Sequence, residues 1–434
     1  MSTALLARRH FLPLFVTQFL GAFNDNVFKN ALVILITFQA ASCADSPILV
    51  TVAAGLFIVP FFLFSATAGQ FADKVDKARV IRLIKLGEIA IMLVGALGFF
   101  LRSVELLMVV LFAMGAQSAF FGPVKYGILP QHLEEDALMG ANALIQGSTF
   151  VAILVGTVAG GLLISIPDAG GSLTAACVIV LAVVGWATSR TIPDAPAADP
   201  QLILDRNPFR QTWRVAVMAA ENRDVMVAVV GISWFWFVGA TFLQLFPGFT
   251  CDTLGGGPSV VLLLLCTFTI GVAGGSWISA QLSGGRVSLA LAPLGAFGLF
   301  AFALVPVIFP PAAPDASALS IFQVLANAGN WPTLLALLGL AVSGGVFVVP
   351  MFAFVQRESP PERRARVIAA ANVLNALFMV MSALMTIVLL KSGMKITGVF
   401  AVTGIGTLFV LIGMLAASTT MRKAFAGRFF GHSC

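Results

Sequence analysis

The sequence predicts an all-α membrane protein: twelve transmembrane helices in two six-helix bundles, with both termini cytoplasmic. Three observations carry that prediction. The chain of 434 residues is 59% hydrophobic and only 10% charged, with a mean hydropathy of +1.00, whereas an ordinary soluble domain carries about 25% charged residues. Apolar runs of about 20 residues, the length that crosses the hydrocarbon core as a helix, recur along the whole length. The cations are also one-sided. Of 25 lysines and arginines, only Arg102, Lys391 and Lys395 fall in the connections opposite the termini, and Lys29 falls within a span; the other 21 lie on the side of the termini. By the positive-inside rule that side is the cytoplasm. The net charge of +6 would point to nucleic acid in a soluble chain. Here it reads as topology, and no nucleic-acid partner is expected.

The first run, 11–39, is too long for a signal peptide and carries strongly polar side chains. The QAASC stretch ending at Cys43 lacks the leucine of a lipoprotein cleavage box and lies too far into the chain. Runs at 48–71, 80–101, 104–124, 138–165 and 171–190 complete a first set of six, the fourth ending where Gly122 and Pro123 interrupt a helix. TIPDAPAADPQLILDRNPFR (191–210) is the only long polar, proline-rich stretch. The second set covers 223–248, 258–282, 287–309, 332–355, 367–390 and 395–418. All twelve runs are continuous and not alternating, which marks helices and not barrel strands. The organisation is therefore an N-terminal bundle (1–190), a cytoplasmic linker (191–222) and a C-terminal bundle with a short cytoplasmic tail (223–434). Ala141-Asn142-Ala143-Leu144 recurs as Ala371-Asn372-Val373-Leu374, and Pro123 has a counterpart in Pro350. Both pairs favour an internal duplication, the plan of one large class of secondary transporters. The five cysteines are scattered and form no disulfide framework or metal motif.

Gln18, Asp25 and Lys29 lie on one stripe of the first span, within about 40° of each other. Charges at that depth are costly and normally mark a pathway or a binding site. The alternative is local: Asp25 and Lys29 are i, i+4 and can neutralise one another. Glu88, two turns into the third span near Lys85 and Arg82, reads as a structural ion pair. Asn142 and Gln146 in the fifth span, with Asn372 and Asn375 in the eleventh, offer neutral hydrogen bonds to a substrate or, equally, glue between helices.

After the second span comes Gly69-Gln-Phe-Ala-Asp73-Lys74-Val-Asp76-Lys77-Ala-Arg79. It resembles the signature of the major facilitator superfamily. The glycine allows close helix approach, and Asp73 with Lys74, Lys77 and Arg79 is expected to form a cytoplasmic clasp that breaks when two halves rock. A charged loop obeying the positive-inside rule is the plainer reading. Gly122-Pro-Val-Lys125-Tyr126-Gly-Ile-Leu129 follows the fourth span. Lys125 there can attract a phosphate as a point charge, or snorkel to the interface beside Tyr126, the chain's one tyrosine.

Gln18 to Asn26 (QFLGAFNDN), Pro123 to Leu129 (PVKYGIL) and Phe347-Val-Val-Pro350 together resemble the bacterial lysophospholipid transporter family of the major facilitator superfamily, which includes the transporter portions of transporter–acyltransferase fusions. The resemblance implies a flippase moving lysophospholipids such as lysophosphatidylethanolamine from the outer to the inner leaflet of the bacterial inner membrane for reacylation. It implies functional roles for Asp25 and Lys125. Some members carry an arginine in span seven and a glutamate in span eleven. The nearest positions here are Leu243 or Gln244, and Asn375.

The residues themselves fit an amphiphile. Asp25 would meet a headgroup amine and Lys125 or Lys29 its phosphate, while Phe235, Trp236, Phe237 and Phe242 would supply an apolar wall. The chain has no Walker A sequence and no Gly-x-Ser-x-Gly elbow, and His132 precedes Asp136 by one residue too few for an HxxxxD acyltransferase motif. Neither a cofactor nor catalysis is expected. Reacylation would fall to a partner, a separate acyltransferase or an acyl-carrier-dependent synthetase. Two other functions stay open: a facilitator of another small amphiphile, proton-coupled through Asp25, and a membrane scaffold that recruits an acyltransferase.

Overall fold

The computed structural model describes residues 5–39, 46–205, 207–311 and 319–429; Cys43, Arg206 and Cys434 lie outside them. Every regular element among these residues is helical, with one isolated bridge between Gly256 and Leu319. Twelve helices are long and apolar enough to cross a membrane. Spans one to six are Leu12–Gln39, Ser46–Lys74, Lys77–Leu101, Val104–His132, Glu135–Ile164 and Gly170–Ser189. A linker helix, Pro208–Ala220, follows. Spans seven to twelve are Arg223–Asp252, Pro258–Ser283, Leu289–Ile308, Trp331–Glu358, Arg364–Lys391 and Ile396–Ala417, and a tail helix, Thr419–Phe429, closes the chain. The outward side chains are apolar: Leu83, Phe100 and Phe409 are 66%, 74% and 69% exposed. Such surfaces aggregate in water and belong against lipid.

The expected break at Gly122-Pro123 does not occur. Span four runs on through Pro123 and Pro130 to His132, and span ten runs through Pro350. A proline removes one N–H and one ladder bond. The rest of the ladder is kept on both sides of each proline, and the helix continues. Where helices do start, side chains take the orphan N–H groups. Asp76 accepts from Arg79 N–H at 2.9 Å before span three, Ser103 from Leu106 at 3.2 Å before span four, and Asn222 from Asp224 and Val225 before span seven.

Residues cluster into two compact units. One comprises Met1–Ala141, Ser148–Ala219 and Gln356–Ala376; the other comprises Asn142–Gly147, Ala220–Val355 and Leu377–Cys434. Lipid is as apolar as leucine, so helices associate through packing and close approach. In the first unit Val27, Phe28, Leu32, Met92, Phe99, Leu111 and Val178 form the core, with Phe28 edge-on to Phe99 at 5.2 Å. In the second, Phe242 stacks on Phe400 at 4.2 Å and Trp234 on Phe237 at 4.6 Å. Phe235, Phe237 and Phe242 are thus buried packing residues of their own unit. Spans eight and ten cross on small residues. A Cβ at Gly271 would meet Ala341, one at Gly275 would overlap the Val342 carbonyl, and one at Gly345 would lie 2.5 Å from Ser276 N.

The linker is stitched to the ends of spans two and three. Lys77 N–H donates to Ala195 O at 2.9 Å, Ala195 N–H to Asp76 Oδ2 at 2.9 Å, and Asp199 N–H to Asp73 O at 2.8 Å. Gln70 and the Asp205 backbone exchange bonds at 2.7 and 3.2 Å. The Asp205 carboxylate accepts from Arg210 Nε and Nη2, both at 2.7 Å, and from Arg214 at 2.9 Å. The Arg210 hydrogen bonds first, then that of Asn207 N–H, pull its pKa down to about 2.

Two outcomes are expected. Gly275→Val should force spans eight and ten apart at a cost of about 1–3 kcal/mol, seen as a lower melting temperature in detergent, while Gly274→Ala, where a Cβ meets nothing within 4 Å, should leave it unchanged. The Asp205 clip is complete above the unfolded carboxylate value of about 3.9 and is lost as pH falls from there through about 2. Limited proteolysis of the linker with an acid-tolerant protease should accelerate only in that window, and Asp205→Asn should be cut faster at neutral pH.

Candidate functional site

Spans one, three and four bring five charged side chains together inside the first unit. Span one supplies Asp25 and Lys29, span three Lys85 and Glu88, span four Lys125. Lys85 and Glu88 form a buried pair at 2.6 Å, their side chains 1% and 3% exposed. Glu88 also accepts from Asn24 at 3.1 Å and Gln117 at 3.0 Å, so both carboxylate oxygens are satisfied. Arg82 is not part of this pair; it turns outward to Asp194 and the Ile192 carbonyl. The reading of Glu88 as half of a structural ion pair therefore holds for Lys85 and is corrected for Arg82. Gly21 leaves room for the Lys85 ammonium, since a Cβ there would lie 2.5 Å from Lys85 Nζ.

Asp25 accepts from Ser118 Oγ at 2.9 Å, and Lys29, Glu88 and Lys85 all act on it electrostatically. Among the described residues neither Lys29 nor Lys125 closes an ion pair. Lys29 Nζ sits over the Phe57 ring at 4.4 Å, and Lys125 Nζ over Tyr126 at 4.6 Å. Local neutralisation of Asp25 by Lys29 at contact distance is thus not what the geometry gives. Lys125 is held inside the unit, where Lys85 and Asp25 act on it. Lys29, Lys85 and Lys125 against Asp25 and Glu88 leave one positive charge in excess when all are ionised.

Gln18, the third member of the span-one stripe, is only 2% exposed. Its amide donates to Ser148 Oγ at 2.6 Å and accepts from Thr149 Oγ1 at 3.2 Å. Both ends are engaged by span five, the helix-joining role open to an intramembrane amide. Asn142 and Gln146 are buried in the short stretch of span five that clusters with the second unit. Asn372 lies in the first unit against Gly122, where a Cβ would overlap its Nδ2, and Asn375 follows one turn on. That Nδ2 is buried and has no hydrogen-bond partner among the described residues.

The motif after span two also takes a definite shape. Asp73 is fully buried and points at the N-terminus of span eleven. It accepts from Ala365 N–H at 3.1 Å, Arg366 N–H at 3.3 Å and Arg366 Nε at 3.0 Å. The carboxylate thus caps a helix supplied by the far end of the chain, where the orphan N–H groups and the dipole favour an anion. Arg366 continues to Asp199 in the linker at 3.2 Å. Gly69 lets the helices meet: a Cβ there would be 2.8 Å from Ala369 Cβ and 3.0 Å from Arg366 Cα. Lys77 is buried, and Asp73, Arg364 and Asp76 act on it electrostatically. The expected clasp of Asp73 with Lys74 and Arg79 is corrected: Lys74 ends span two, the Arg79 side chain is exposed, and Arg366 is the partner.

Sequence reasoning missed Ser118, Gln117, Asn24 and Arg366. Ser118 was within reach, since seven residues before Lys125 puts it on the same helical face. In span seven Gln244 donates to Thr386 at 2.9 Å and Thr241 meets Ser382 at 2.7 Å, neutral contacts to span eleven within the second unit. No group of three or more metal-ligating side chains occurs among the described residues. A cavity of about 480 Å³ opens in the first unit between Phe99, Arg102, Ile164 and Asp168, away from the charged cluster.

Comparison with known proteins supports the fold and the resemblance. The chain is 28% identical over 373 residues to the lysophospholipid transporter LplT of Serratia proteamaculans, covering 85% of this chain and 84% of that one. It is 29% identical over 372 residues to LplT of Cronobacter sakazakii, with the same coverage. Among solved structures it is similar to the human organic anion transporter MFSD10 (TM-score 0.72, 14% identity, 94% of this chain and 99% of that one). It is also similar to the fucose:proton symporter FucP of E. coli (TM-score 0.69, 13% identity, 94% and 98%). The family model of the Major Facilitator Superfamily matches residues 14–383. The chain is a twelve-span membrane transporter that belongs to the Major Facilitator Superfamily.

Proposed function

We propose that this transporter moves lysophospholipids, such as lysophosphatidylethanolamine, from the outer to the inner leaflet of the bacterial cytoplasmic membrane by alternating access. The observation that carries this reading is the pair Asp25 and Lys125: opposite charges held inside one bundle, neither in a contact ion pair among the described residues. A zwitterionic headgroup completes both, its amine at Asp25 and its phosphate at Lys125, and the excess positive charge of the cluster favours the phosphate. Lys29, over Phe57, is the second cation available to it. Charges left short of partners in low dielectric are costly unless a ligand repays them. The names carried by the relatives in Serratia and Cronobacter support the substrate class.

Gln18 and the Lys85–Glu88 pair act in this scheme as positioning groups that fix spans one, three and five around Asp25. Tyr126 offers its ring to the Lys125 ammonium, and Asn372 and Asn375 add neutral hydrogen bonds. Gly69, Asp73, Lys77 and Arg366 form a contact at the end of span two that must open and close during transport. Both termini and the linker lie in the cytoplasm, and a separate acyltransferase or acyl-carrier-dependent synthetase reacylates the product there.

Proteoliposomes carrying the protein should move labelled lysophosphatidylethanolamine from the outer leaflet inward. Asp25→Asn combined with Lys125→Ala should lower the initial rate by about tenfold or more, the effect of about 1.4 kcal/mol, with the folded fraction unchanged. Lysolipid that stays in the outer leaflet despite folded wild-type protein sinks the proposal; full transport by the double variant supports a scaffold role for these residues. Asp73→Ala removes one partner of a buried pair, a loss of about 3–5 kcal/mol. Amide exchange at Ala365 and Arg366 should then rise by about a hundredfold or more and transport should slow, whereas Lys74→Ala should leave exchange at those amides unchanged.

A further inference from the structure

The linker helix Pro208–Ala220 carries two opposed ridges. Gln211, Val215 and Ala219, four residues apart, are buried at 4%, 0% and 1% exposure. Phe209, Trp213 and Val217, with the same spacing, are 76%, 72% and 48% exposed. At 100° per residue the centres of the two ridges lie about 160° apart. The buried ridge therefore seats the helix on the protein, and the aromatic ridge points directly away from it. Arg210 and Arg214 fill the arc between them, with side chains 59% and 58% exposed.

The position of this helix in the chain says what covers the aromatic ridge. Just before it, Asp205 is tied to Gln70 in the last turns of span two. Just after it, Arg223 opens span seven. Each end thus adjoins the end of a membrane-spanning helix, and a span ends near the headgroup layer. A helix with one aromatic ridge and arginines beside it is built for that layer. Arg210 and Arg214 share a single carboxylate, Asp205, so one positive charge remains for an anionic headgroup, and a guanidinium pairs with phosphate in bidentate geometry.

We propose that the linker helix lies in the interface of the adjoining leaflet, with Phe209, Trp213 and Val217 inserted among the acyl chains and Arg210 and Arg214 on the phosphates of anionic lipids. Through Asp205 and Gln70 the same contact positions the end of span two that carries Asp73. The proposal needs the chain to span a membrane and is independent of what it transports.

The test uses full-length protein in phosphatidylcholine vesicles with and without phosphatidylglycerol. Trp213 fluorescence is isolated as wild type minus Trp213→Phe. Lipids brominated at shallow acyl positions should quench about half or more of that emission, matching the depth of about 5–10 Å that an interfacial helix reaches, and aqueous iodide should have little access. Phosphatidylglycerol should increase the quenching, and Arg210→Gln with Arg214→Gln should abolish that increase. Emission quenched by iodide and untouched by bromolipid overturns the proposal, as does a ridge shielded from both, which would signify a protein partner. Quenching that is indifferent to phosphatidylglycerol overturns its anionic-lipid part. None of these readouts depends on lysophospholipid movement, so a failed transport assay leaves the result intact.

Discussion

A charge carried into hydrocarbon has no water to turn to, and that constraint organises the first unit. Every polar group there must be answered by the protein or by a ligand. Lys85 and Glu88 answer one another, and Asn24 and Gln117 complete the carboxylate. Glycine at position 21 leaves room for the Lys85 ammonium. Asp25, Lys29 and Lys125 are answered only in part, by a serine hydroxyl and two aromatic rings. The satisfied pair holds the frame, and the incompletely satisfied groups are those with capacity left for a ligand.

The second unit meets the same constraint by avoiding charge. Among the described residues its intramembrane polar contacts include neutral pairs, as in Thr241 with Ser382, Gln244 with Thr386 and Trp234 with Thr407. Aromatic stacking and close glycine crossings supply the rest of its cohesion. The difference between the units is therefore a division of labour between electrostatics and packing.

At the linker end of the first unit, one carboxylate gathers three parts of the chain. Asp73 caps span eleven, its backbone carbonyl receives the linker through Asp199, and Arg366 bonds to both aspartates. A helix N-terminus presents a partial positive charge and unsatisfied N–H groups, so a buried aspartate there gains hydrogen bonds and field together. Such a contact is strong while formed and costly while broken, which suits the opening and closing proposed for it.

Composition, run length and cation bias determined by themselves that the chain is helical and that it spans the membrane twelve times; the cost of a charge inside a span singled out Asp25, and resemblance of motifs singled out Lys125 and the Gly69-to-Arg79 stretch. These are local quantities: hydropathy over one helix length and charge within a few residues of its ends. The tertiary structure alone decided the pairings. That Asp73 belongs with Arg366, nearly three hundred residues away, that Gln18 is taken up by Ser148 and Thr149, and that Phe242 is core, all depend on which helix faces which. Helical periodicity gives the face of a residue but not the neighbour across from it. The prolines teach the same lesson from the backbone side: Pro123 reads as a helix end in isolation, yet span four continues through it to His132.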